Sequence, residues 1–148
     1  MSKKDKERVE PKPVPFVEPP MEVSERVLDS RFLGSGGGGL TPSRLLSDDT
    51  THARCIKPHP GQLHAFILTN FGGSARFVKF YDKVTAPQVG IDPPALTLVV
   101  GGKDTFTAEF STGIVFTHGI WVAITGKLAD SDMTEVATNE VLVSLFCK

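Results

Sequence analysis

"KDTFTAEF", residues 103–110, decides the fold class. Phe106, Ala108 and Phe110 alternate with Thr105, Thr107 and Glu109, and a period of two places these sets on opposite faces of an extended strand. The same reading extends outward. "ALTLVV" (residues 95–100) reaches this strand through Gly101 and Gly102, and "GIVFTHGIWVAITG" (113–126) supplies one long bent strand or two short ones about Gly119. "LHAFILTN" (63–70) and "ARFVKFYDK" (75–83) read as two strands joined by the glycine-containing turn "FGGS". The chain closes on "EVLVSLFCK" (140–148), where Val141, Val143 and Leu145 share one face and Leu142 and Phe146 the other. With both faces apolar, this strand is expected inside a sheet or beneath a partner. About six short strands over roughly ninety residues specify an all-β fold, an antiparallel β-sandwich of jelly-roll or immunoglobulin-like size.

Composition divides the 148 residues in two. From residue 61 onward the chain is dense in Phe, Val, Ile, Leu and Thr, and only this half can build a core. Residues 1–60 carry most of the prolines, many charges and few aromatics, and are expected to form a long extended N-terminal arm. Within it "EPKPVPFVEPP" (10–20) holds five prolines, which fix φ, remove backbone donors and favour polyproline II. Short helical turns are expected at residues 21–33, with Ser24 as N-cap, and after the glycines, with Thr41 capping and Pro42 at the first helical position.

The arm's apolar residues have no means of burial within it, so it is expected to order on a partner. Phe16, Val17, Phe32, Leu33, Leu45 and Leu46 are the candidate partner-binding side chains. The run Gly36, Gly37, Gly38 and Gly39 stands neither between a buried strand and a helix N-terminus nor before a Lys, as a phosphate loop requires. It reads as a hinge, where glycine lets the chain turn sharply or pass close to a neighbour's backbone.

Net charge is −1 and the basic start "MSKKDKER" is interrupted and soon offset by acidic residues, so no nucleic-acid partner is expected. No apolar run approaches the roughly 20 residues of a membrane span, and the N-terminus lacks a signal-peptide core. A cytosolic protein without a membrane partner follows. Cys55 and Cys147 lie outside any CxxC and are expected to be reduced thiols.

Chemistry-bearing motifs are sparse. His52, His59, His64 and His118 show no metal-ligand spacing, and no serine lies in a GxSxG. "KLADSDMTEVATNE" (127–140) gathers Asp130, Asp132, Glu135 and Glu140, yet lacks the glycine and terminal glutamate of an EF-hand, so a polar loop over the sheet end is preferred to an ion site. No enzyme activity, cofactor or metal is expected. Trp121 and Tyr81 keep a carbohydrate-binding sandwich open as an alternative, provided Trp121 lies in a groove with polar neighbours.

Three stretches carry a resemblance: "ARFVKFYDKVTAPQVGIDPPALTLVV" (75–100), "STGIVFTHGIWVAITGKLADSD" (111–132) and the terminal "VLVSLFCK". Over the C-terminal ninety or so residues the chain resembles a family of small β-rich structural proteins of tailed bacteriophages. The resemblance implies a structural virion protein of the capsid decoration or cement type, located in the virion after assembly in the host cytoplasm. Its implied partners are the major capsid protein or other virion proteins and further copies of itself, with three-fold or higher assembly compatible. A head-tail connector, tail or fibre component is the close variant.

Overall fold

The computed structural model describes residues 39–148 and the single residue Pro13. Phe16, Val17, Phe32, Leu33, Gly36, Gly37 and Gly38 lie outside the described residues. Eight strands run β1 (Thr41–Leu46), β2 (Arg54–Lys57), β3 (Gly61–Asn70), β4 (Arg76–Asp82), β5 (Leu96–Val100), β6 (Asp104–Phe116), β7 (Ile120–Thr125) and β8 (Val141–Cys147). They form two four-stranded antiparallel sheets, ordered β1-β8-β3-β6 and β2-β7-β4-β5. Strand 1 thus pairs with 8, 2 with 7, 3 with 6 and 4 with 5. This nested order is that of the jelly roll, and it decides between the two sandwich types that the sequence leaves open.

Two corrections follow. The sandwich takes in chain from before residue 61, because β1 and β2 belong to its two sheets. "TPSRLL" is a strand and not a helical turn, since its backbone is taken up by β8, with Thr41 opposite Cys147 and Leu46 opposite Leu142. The "FGGS" and "GGKD" turns also do not close hairpins. Each passes the chain from one sheet to the other, and only β4 and β5 are both consecutive and paired.

The core lies between the sheets. Leu63, Phe66 and Leu68 of β3 and Val141, Val143 and Leu145 of β8 face Val78 and Phe80 of β4 and Val122 and Ile124 of β7, all buried. Period-two alternation in β8 supplies this directly, its burial pattern switching at every residue. A smaller apolar cluster of Tyr81, Val89 and Ala123, with Ala53 and Trp121 against it, covers the outside of the second sheet.

The end of β1 is fastened by one buried hydroxyl. Ser47 Oγ donates to Ala137 O at 2.6 Å and accepts the N–H groups of Glu140 and Val141, each at 3.0 Å. Ser47→Ala leaves the buried Val141 N–H without this partner, while Glu140 N–H keeps Ala137 O at 3.2 Å, and is expected to cost about 1–2 kcal/mol in urea unfolding. A cost under about 0.5 kcal/mol would show that water replaces the hydroxyl.

Candidate interaction surfaces

The outward face of the β1-β8-β3-β6 sheet departs from the polar exterior usual for a sandwich. Register aligns its side chains in rows across the strands: Pro42, Phe146, Ala65 and Glu109; then Arg44, Ser144, Ile67 and Thr107; then Leu46, Leu142, Thr69 and Thr105. Apolar side chains hold much of each of the outer rows, and Ile67 is 40% exposed. Where Leu40 approaches β3 and β6, the face dips into an open groove of about 580 Å³ between Leu40, Ala65, Ile67, Thr107, Glu109 and Phe146. A second hollow continues it past His64 and Ser111.

Local backbone shapes the groove. β6 bulges between Glu109 and Ile114, so that residues 110–113 have no register partners on β3. Gly113 sits at the bulge with φ +74°, a conformation in which an L side chain is strained, and an added Cβ would press on the His64 ring at 3.0 Å. His64 Nε2 lies 3.1 Å from Gln62 Oε1.

Leu45, expected to bind a partner, is instead in the core, 7% exposed, because β1 turns it inward opposite Val143. Leu46 is half-buried on the outward face. Gly39 has open space where a Cβ would be. The outward residues Ile67 and Ala65 were not singled out by sequence reasoning, although the double-faced pattern of β8 signalled this side of the sheet.

The acidic loop is self-contained. Asp132 Oδ2 accepts Lys127 N at 2.8 Å and its Oδ1 accepts the Thr134 hydroxyl at 2.6 Å. Burial opposes ionisation of Asp132, but these donors and nearby Lys79 outweigh it and hold the carboxyl below its usual range. Among the described residues no three His, Cys, Asp or Glu side chains gather as metal ligands. Beneath the loop Lys79 is fully buried, its Nζ donating to Ala129 O at 2.6 Å; burial lowers the pKa of its amine, against the pull of Asp132 and Asp130.

The two aromatic side chains proposed for sugar stacking do not form a platform. Tyr81 is wholly buried, its hydroxyl pushed up to about 12 by burial and by Asp130 and Asp92. Trp121 packs against the same cluster and its indole N–H donates to Lys83 O at 3.0 Å. Cys55 is exposed and Cys147 buried, both as free thiols. No helix among the described residues is long and apolar enough to cross a membrane.

No protein-family model and no curated protein matches the sequence. Among solved structures, the coat protein of tobacco streak virus is similar at 9% sequence identity and a TM-score of 0.32, over 72% of this chain and 85% of that one.

Proposed function

We propose that this chain is a structural virion protein, and more narrowly a capsid decoration or cement protein that binds the major capsid lattice and stabilises the head. The observation that carries the reading is the outward apolar face of the β1-β8-β3-β6 sheet, with its groove at Leu40, Ile67 and Phe146, a surface that gains by being covered. Jelly rolls occur in capsids, lectins and cupins, so the fold by itself does not choose among them. Burial of Tyr81 removes half of the sugar platform on which the lectin alternative rested.

In this reading residues 1–38 contribute further apolar contacts to the lattice through Phe16, Val17, Phe32 and Leu33. The protein has no catalytic task and takes no cofactor. The resemblance to tailed-bacteriophage structural proteins supports a virion role, and within it the head is the position proposed, with the neck, tail and fibre as the variants.

The test is co-sedimentation of the full chain with capsids stripped of accessory proteins. The wild type is expected to pellet with them. The double variant Ile67→Asp with Phe146→Asp should bind at least about 30-fold more weakly, since two apolar contacts worth about 1–2 kcal/mol each become desolvated charges. Equal binding of both proteins, with both folded, removes the outward face as the attachment surface. Failure of the wild type to pellet removes the capsid decoration reading.

A further inference from the structure

The four sheet edges are not equally defended against strand addition. An edge strand carries unpaired N–H and C=O groups, and proteins blunt it with proline, charge, bulges or short length. β1 carries Pro42 and Arg44. β2 spans four residues, includes Arg54 and Lys57, and has a register shift between Cys55 and Lys57. β6 carries Asp104 and Glu109 and is broken by its bulge. β5 has none of these guards beyond modest length: its sequence is "LTLVV", without charge, proline or irregularity.

Among the described residues no strand pairs with the outer edge of β5, whose one strand partner is β4, although the Val100 carbonyl at its end also accepts Asn70 Nδ2 at 3.4 Å. Val99, on the outward side beside Phe77, is 50% exposed. Leu96 and Leu98 point toward the core opposite Phe80 and Val78, yet remain only partly buried. A core-facing side chain is left partly open there because the sheet ends one strand too early to cover it.

We propose that β5 is a pairing edge for a second copy of this chain, joining two β2-β7-β4-β5 sheets into one eight-stranded sheet about a two-fold axis at Leu98. Antiparallel pairing centred on the middle residue keeps all five residues in register. It sets Leu98 against its own copy, Leu96 against Val100, and Thr97 against Val99. No like charges meet, and a two-fold contact of this kind is closed, leaving at the ends of the joined sheet only the two guarded β2 edges. Past the strand ends the same register brings Gly101 opposite Ala95, both small enough to pass. A different protein as occupant would need only a matching strand, whereas a second copy is favoured because the edge is complementary to itself. The inference stands on edge chemistry alone and is independent of the virion reading.

The geometry supplies a charge-swap test on the full chain. Val99 and its symmetry mate lie diagonally across the axis on the same face, about 7–8 Å apart, within reach of long side chains. The wild type should sediment as a dimer, at twice the 16.0 kDa chain mass. Val99→Lys alone and Val99→Glu alone should each raise the dimer dissociation constant at least about tenfold, while an equimolar mixture of the two should recover most of the loss. Hydrogen exchange of the wild type should show protection of the β5 amides that rises with protein concentration. A wild-type monomer at all concentrations, a dimer indifferent to both single variants, or a mixture no tighter than either variant overturns the proposal. If both variants fail to fold, the exchange result decides: protection of β5 that does not change with concentration overturns it.

Discussion

Replacing Phe66 by alanine is expected to remove about 4 kcal/mol of folding free energy, a large part of the 5–15 kcal/mol typical of a domain. Phe66 stands near the middle of β3, 1% exposed, between Ala108 of β6 and Leu145 of β8. Its ring meets Phe106 edge-on at 5.2 Å between centroids and Phe110 at 5.9 Å, so truncation breaks two aromatic contacts as well as opening a void. The strands around it are fixed by sheet hydrogen bonds on both sides and have little freedom to collapse into the space. Phe66→Leu, which keeps most of the volume, should cost about 1–1.5 kcal/mol. Urea unfolding of the three proteins measures both values. A Phe66→Ala cost below about 1.5 kcal/mol would mean that the open β5/β6 side lets the core relax or admits water.

The second large effect concerns Asp82, the last residue of β4. Its carboxylate accepts N–H groups from Thr117 at 2.9 Å, His118 at 2.7 Å and Gly119 at 3.2 Å, together with the Thr117 hydroxyl at 2.8 Å. These donors line the turn between β6 and β7, where the chain crosses from one sheet to the other. Gly119 is needed there, since a Cβ would strike the carbonyl oxygens of Lys83 and Lys57 at 2.7 and 2.9 Å. Burial disfavours the charged carboxyl, but the converging donors outweigh it and hold its pKa far below the usual carboxylate range.

Asp82→Ala leaves three backbone donors without their acceptor and is expected to cost about 3 kcal/mol at neutral pH. The sign of the pH dependence follows from a folded-state pKa depressed below the unfolded value of about 4. The stabilisation is fully present above that value and is lost as pH falls below it toward the folded pKa. Thermal melts should therefore show wild-type stability declining below about pH 4, with Asp82→Asn flattening the decline. Asp48, Asp92 and Asp132, also held low, keep a residual slope in the variant. Parallel acid profiles for the wild type and Asp82→Asn would refute the role assigned to this carboxylate.

Ser47 and Asp82 have no sequence signature, because each works through backbone groups that are remote in the chain. Ser47 meets Ala137 and Glu140, and Asp82 meets residues 117–119. Lys79 is a similar case. In "ARFVKFYDK" it falls on the face opposite Val78 and Phe80, where a lysine ordinarily signals solvent, and only the loop folded over it accounts for its burial. The candidate surface was legible in part. Apolar residues on both faces of β8 indicated a covered strand, which holds for its position between β1 and β3, while the groove depends on Leu40 and on the β6 bulge.

Period-two alternation determined the all-β class and located five strands to within a few residues, because a strand's faces are set by local backbone geometry and their exposure by the polarity of successive side chains. It left β1 and β2 unread. "TPSRLL" and "RCIK" have little alternation and become strands by pairing at the edges of sheets that other segments build. The tertiary structure alone decided which strands pair. A glycine turn states that the chain reverses, but not whether the next strand joins the same sheet or crosses to the other, and here all but one of the connections cross. That choice is made by the burial of two apolar faces against each other and by pairs as distant as Thr41 with Cys147, which no local pattern encodes.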